Sequence, residues 1–289
     1  MKHFHYKKLI LLLPLLLLLL LFLPTEKNNY IIDDSHQAKT VGPRIQFIVI
    51  HFTHLNFADS LRVLTQNQVS SHYLVPEEPI NGQDVIYQLV DDDLKAAHAG
   101  LSYWQGQERD GQININASSI GIEIVNLGYR DSAAGRHWHP YTEHQINLVT
   151  ELLKDLIEKY DIDPTRIIGH AEITPNIAAR GNNTRIDPGP LFPWEELAAV
   201  GIGAWYDREV VEGSLKDPAE NEIDILSVQK NLAKYGYNIE TTGVLDEQTR
   251  NVLVAFQMHF QPHNYSGVPD QETDAILRNL IDKYFPEEM

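Results

Sequence analysis

Two short apolar runs, both rich in β-branched residues, each lead to a histidine. Residues 45–50 (IQFIVI) run into His51, and Ile167–Ile168 run into Gly169–His170. Such runs suit strands buried in a sheet. Between them lies the clearest amphipathic helix of the chain, predicted over 143–160. Thr142 caps it, Gln145 completes a capping box, and Ile146, Val149, Leu153, Leu156 and Tyr160 share one face. Further strands are predicted at 85–90 and 120–125. In the second, Ile120, Ile122 and Ile124 point one way and Gly121, Glu123 and Val125 the other. A helix is predicted at 59–68, and residues 171–193, rich in Pro, Gly, Asn and Thr, read as loop. Strands mixed with helices imply an α/β fold, a mixed central β-sheet flanked by helices, over residues 44–202.

The flanks differ. Lys2, Lys7 and Lys8 precede an apolar run from Leu9 to Leu23, interrupted by Pro14. Residues 1–24 therefore read as a signal peptide or an N-terminal anchor; at 15 residues the run is short for a span of ~20. No small-x-small cleavage site follows, and export with cleavage is preferred over membrane attachment through residues 9–23. Residues 25–43 read as a tether and 203–221 as a linker. Residues 222–285 read as a small all-α, three-helix domain with an internal echo: Gly243-Val-Leu-Asp-Glu-Gln-Thr249 returns as Gly267-Val-Pro-Asp-Gln-Glu-Thr273. In each copy Gly turns the chain, Asp stands where an N-cap belongs, and Thr lies in the first helical turn. The net charge of −17 argues against nucleic acid as a partner. With no cysteine, a metal would have to be held by His, Asp or Glu.

His51 and His170 stand at the ends of predicted strands, where rigid backbone meets the surface. Asp187 lies in an Asp-Pro-Gly-Pro turn whose prolines restrict the backbone. Two imidazoles and a carboxylate leave a fourth tetrahedral position for water, the open pattern of catalytic zinc. The three are 119 and 17 positions apart, and spacing alone leaves open the plainer reading of structural histidines.

Five blocks carry a resemblance that decides between these readings: Val49-Ile-His51-Phe-Thr53, Val69-Ser-Ser-His72-Tyr73, His98-Ala-Gly-Leu-Ser-Tyr-Trp104, Ser119-Ile-Gly-Ile-Glu123-Ile, and Gly169-His170-Ala-Glu172 followed by Arg185-Ile-Asp187-Pro-Gly-Pro. Together they resemble the zinc amidases that include peptidoglycan-recognition proteins and phage-type amidases. The order is most similar to the periplasmic N-acetylmuramoyl-L-alanine amidases that act on intact wall and released muropeptides. Residues 222–285 resemble the three-helix peptidoglycan-binding domain through Val228-Gln-Lys-Asn-Leu232, Gly243-Val-Leu-Asp246 and Ala255-Phe-Gln257. The resemblance implies one Zn2+ held by His51, His170 and Asp187, with Glu123 acting on the attacking water. It implies peptidoglycan and muropeptides as partners and the periplasm or cell envelope as the location.

Arg185 stands where the family commonly carries Lys. Its pKa is too high for proton donation, so it would act by charge on the oxyanion. Ser71 occupies a position where phage-type relatives have Tyr, which leaves the proton work to Glu123. His98, Trp104 and Asn116 are candidate substrate contacts, an aromatic face suiting a sugar; ordinary packing competes for the first two. His72 reads as structural, His137 and His139 as part of a solvent loop, and His54 as a weak candidate. Three rival functions remain: a non-catalytic peptidoglycan-recognition protein, which would typically lack a zinc ligand; a zinc peptidase cutting within the stem peptide; and a purely structural envelope protein, which would need no metal.

Overall fold

A computed structural model describes residues 30–31, 33–104, 112–174, 185–216 and 223–286. Residues 1–42 and 43–289 are two separate units. The first contributes an exposed stretch in which Ser35 donates from N and Oγ to Asp33 Oδ1. The segment read as signal or anchor lies outside the described residues.

The second unit runs β1 (Phe47–Phe52), α1 (Phe57–Gln66), β2 (Tyr73–Val75), β3 (Tyr87–Gln88), β4 (Tyr103–Trp104), β5 (Gln112–Ile113), β6 (Ser119–Ile124), β7 (Tyr129–Ser132), β8 (Gly135–Trp138), α2 (Glu143–Tyr160), β9 (Ile167–Gly169), α3 (His170–Ile173), α4 (Trp194–Ala199), α5 (Arg208–Ser214), α6 (Ile225–Tyr235), α7 (Glu247–Phe260) and α8 (Gln271–Tyr284). The main sheet has five strands in the order β3-β2-β6-β1-β9. β1 is parallel to both β6 and β9, and only the edge strand β3 is antiparallel. All six residues of β1 are buried, as a central parallel strand covered on both faces requires.

Alternation along β1 and β6 separates core from site. Ile48, Ile50, Ile120, Ile122 and Ile124 join Val149, Leu152, Leu153 and Leu156 of α2 in one apolar cluster. Each fully buried Ile contributes about 1.5–3 kcal/mol. His51 pairs in register with Glu123 on the parallel neighbour, so the side chains wanted for chemistry share the opposite face. Helix α2 starts where expected, with Thr142 Oγ1 accepting from Gln145 N and Gln145 Oε1 from Thr142 N.

Three expectations change. The strand expected at 85–90 pairs over Tyr87–Gln88 alone. The stretch expected to be loop from 171 opens with a helical turn, α3, begun by His170. The linker expected at 203–221 carries α5, and its neighbours are fastened to the last helix: Trp205 N donates to Tyr284 Oη, Asp207 N to Asn279 Oδ1, and Lys283 Nζ to Asp207 Oδ1. Its anchors, Trp205 and Val211, are too sparse to mark a helical face in a charged sequence.

The helical module packs against the sheet. One core cluster runs from Phe47, Val49, Trp104, Ile168 and Ile173 into Leu232, Tyr237, Phe256 and Phe260. The repeat has a structural cause. Gln229 donates to Val244 O and Thr249 Oγ1 and accepts from Gly243 N; Gln257 does the same with Val268 O, Thr273 Oγ1 and Gly267 N. Each glutamine clasps the turn after its helix, and Asp246 and Asp270 cap the next helix through Thr249 N and Thr273 N.

Candidate metal centre and catalytic cleft

β1 delivers His51, the start of α3 delivers His170, and the turn after Ile186 delivers Asp187. His51 Nδ1 lies 3.0 Å from His170 Nδ1 and 3.0 Å from Asp187 Oδ2, and His170 Nδ1 lies 3.0 Å from the same oxygen. All three residues are buried, and among the described residues they are the group placed to hold a metal ion. The turn is pinned to the helix because Ala171 N donates to Asp187 O, and Tyr141 Oη donates to Pro188 O.

The donor set fits zinc, and the proton inventory shows why. Ser119 Oγ donates to Ile115 O, so it accepts from His98 Nε2; His98 Nδ1 then accepts from His51 Nε2–H at 3.0 Å. A neutral His51 therefore turns the bare lone pair of Nδ1 toward His170 and Asp187. Tetrahedral zinc with bonds of about 2.0–2.1 Å separates two nitrogens by about 3.3 Å, close to the observed spacing. Burial, then the neighbouring His170 ring, push His51 down to about 4, so the ring is neutral at neutral pH. Burial by itself would raise the Asp187 carboxyl, but the His170 and His51 rings outweigh it and hold it well below the usual carboxylate range. Ionised carboxylate and neutral imidazole are the forms a cation needs.

His51, His170 and Asp187 line a cleft of about 540 Å³ together with Glu123, Arg185, His54, Tyr129 and Arg136. Glu123 Oε2 is buried without a hydrogen-bond partner among the described residues. Burial, then the charge of Asp187, push its carboxyl up to about 8, and Arg185 opposes them. A carboxyl that crosses the neutral range in a cleft is suited to move protons. A cation held by the three ligands acts in the same direction as Arg185, drawing Glu123 toward its ionised form. Arg185 is itself fixed at the backbone, where its N–H donates to Thr174 Oγ1.

Three of the expected substrate contacts have other work. His98 is 8% exposed, hydrogen-bonds His51 from behind and also lines the cleft. Its ring occupies space that a Cβ on Gly121 would collide with, which accounts for a glycine inside a central strand. Asn116 is buried, its Oδ1 accepting from His98 N and Ala99 N while Nδ2 donates to Asn114 Oδ1. Trp104, 2% exposed, packs on Tyr235 and Tyr237 with ring centroids 6.0 and 5.0 Å away. It lies so close to Gly236 that no side chain fits there, so it joins the helical module and is not among the residues lining the cleft. The physical reason is common to all three: a buried aromatic or amide beside a site has the same composition whether it faces substrate or supports a ligand.

His72 bridges sheet and loop, with Nδ1 accepting from Gly121 N and Nε2 donating to Leu94 O. Ser71 Oγ donates to Gly121 O, away from the ligands. His54 is exposed and packs near Tyr129, centroids 5.0 Å apart. The segment expected to be a solvent loop is the β7–β8 hairpin. Its Arg136 lies 3.9 Å above the Tyr129 ring, pairs with Asp131, and forms one wall of the cleft. Alternation in Tyr129–Ser132 was too short and too polar to announce a hairpin.

Residues 41–190 match the sequence model of the N-acetylmuramoyl-L-alanine amidase family, and residues 221–277 that of a putative peptidoglycan binding domain. The chain is 43% identical over 262 residues to N-acetylmuramoyl-L-alanine amidase AmiD of Escherichia coli (strain K12), covering 90% of each chain. The solved structure of E. coli AmiD, in complex with the substrate anhydro-N-acetylmuramic acid-L-Ala-D-gamma-Glu-L-Lys, superposes with a TM-score of 0.79 at 42% identity, covering 91% of this chain and 98% of that one. AmpDh3 from Pseudomonas aeruginosa superposes with a TM-score of 0.77 at 36% identity, covering 88% and 99%.

Proposed function

The chain belongs to the N-acetylmuramoyl-L-alanine amidase family, and on that footing we propose that it works as a zinc hydrolase in which His51, His170 and Asp187 hold the metal, Glu123 moves the proton and Arg185 steadies the charge. The reaction is hydrolysis of the amide between N-acetylmuramic acid and L-alanine in peptidoglycan or muropeptides. The observation that carries the assignment of residues is the convergence of the three ligand atoms at 3.0 Å in a cleft that Glu123 also lines.

Zinc bound there would supply a Lewis acid and a place where water becomes a nucleophile near neutral pH. The protein's residues do the rest. The His51–His98–Ser119 chain keeps the Nδ1 lone pair of His51 aimed at the centre. Glu123 Oε2, without a hydrogen-bond partner among the described residues, takes a proton from the attacking water and returns it to the departing L-alanine nitrogen. The Arg185 guanidinium contributes a positive charge for the carbonyl oxygen.

The helical module is read as the part that holds the glycan polymer near the cleft, supported by its match to a peptidoglycan binding domain. The basic start and apolar run of residues 1–24 support export to the envelope; among the described residues no helix is long and apolar enough to cross a membrane. The AmiD complex supports muropeptide substrates with an anhydro sugar end. The test is mass spectrometry of products from purified sacculi and from an anhydro-muropeptide. Wild type should release sugar strands and free stem peptides with a new N-terminal alanine. Glu123→Ala and His170→Ala should fold and release none. Peptides shortened from within would refute the assignment.

A further inference from the structure

Glu172 lies two residues beyond the ligand His170, on the four-residue helix α3, and is 3% exposed. Its carboxylate accepts three hydrogen bonds. Gly169 N donates to Oε2 at 2.6 Å, closing the first turn of α3. The other two donors come from the helical module: Tyr237 Oη donates to Oε1 at 2.6 Å, and His259 Nδ1 to Oε2 at 2.9 Å. His259 is itself clamped, stacked between Trp194 and Phe260 with centroids 3.9 Å away on each side.

We infer that Tyr237 and His259 are positioning residues for the metal ligand His170, acting through Glu172. The inference rests on the reading of His51, His170 and Asp187 as a metal centre. A helix of four residues has no stability of its own, because nucleation fixes several residues for a single hydrogen bond. Two contacts hold α3 at its start: Ala171 N donates to Asp187 O, and Glu172 Oε2 accepts the Gly169 N–H. A buried carboxylate stays in place only while donors surround it. Two of its three donors are supplied by a part of the chain 65 and 87 residues away. Remove them and the carboxylate turns toward solvent, the first turn of α3 is released, and His170 Nδ1 is no longer held 3.0 Å from Asp187 Oδ2. The module thereby takes part in shaping the metal centre, in addition to any role in holding polymer.

The experiment measures the zinc dissociation constant of the full chain by competition with a chelator, alongside the melting temperature of the metal-free protein. Tyr237→Phe removes one donated O–H and keeps the ring. His259→Leu removes the other donor, and His259→Asn restores an N–H near the place of Nδ1. Tyr284→Phe is the control, because its hydroxyl serves Trp205 in the same module and reaches nothing on α3. Direct loss of an outer-shell partner costs about 10–100-fold in metal affinity; these residues stand one layer further out. Tyr237→Phe and His259→Leu are therefore expected to weaken zinc binding about 3–30-fold. His259→Asn should recover most of that loss, and Tyr284→Phe should lower the melting temperature while leaving zinc affinity within about twofold of wild type. Unchanged zinc affinity in Tyr237→Phe and His259→Leu, or equal weakening in Tyr284→Phe, overturns the inference. A wild-type chain that binds no zinc overturns the metal-centre reading itself, a result distinguishable from either.

Discussion

Glu123→Gln should end turnover and, in zinc-free protein, make the fold more stable in alkaline solution. The Glu123 carboxyl is pushed up from 4.5 to about 8, chiefly by burial and then by Asp187. Between those two values the folded protein keeps a proton that the unfolded chain has released, so wild-type stability falls as pH rises through the window. Each tenfold change in proton affinity is worth about 1.4 kcal/mol, which sets a ceiling of about 5 kcal/mol above pH 8. Solvent in the open cleft screens part of this, and about 1–3 kcal/mol is the expected cost of the ionised group. Gln resembles the protonated acid and escapes that cost. Urea denaturation in excess chelator should show the variant ahead by that margin near pH 8.5, and the two proteins matched near pH 4.5. A variant no more stable than wild type at the higher pH, or a margin independent of pH, would refute the reasoning. With zinc bound the margin should shrink, because a nearby cation stabilises the carboxylate.

Four further outcomes are expected. Chelation should abolish hydrolysis and stoichiometric zinc should restore it, whereas His170→Ala, short of one ligand, should stay inactive at the same zinc level. Ser119→Ala deprives the His98 Nε2–H of its acceptor and should weaken zinc binding about 10-fold; Gly121→Ala drives a methyl into the His98 ring and should cost about 1–3 kcal/mol of stability by overpacking, measured by thermal melting. Arg185→Ala should lower kcat about 100-fold with little change in KM, and Arg185→Lys should retain much of the rate; an effect confined to KM would instead make Arg185 a substrate-binding residue.

Local signals accounted for much of this protein. Thr142 and Gln145 mark the start of α2, and Asp246 and Asp270 mark those of α7 and α8, because a cap is written within four residues of itself. The β-branched runs placed His51 in a central strand and His170 directly after another. The family motifs singled out His51, His170 and Asp187, and the fold brings their atoms close enough to hold a metal ion. What escaped were contacts between segments far apart along the chain. His98 stands behind His51 across 47 residues, Trp104 packs on Tyr237, and Glu172 receives Tyr237 and His259. A sequence states what a side chain prefers within its own strand or turn. It does not state which distant surface will arrive to desolvate that side chain or donate to it, and that arrival, decided by packing of the whole unit, set Tyr237 and His259 of the helical module against Glu172, two residues from His170.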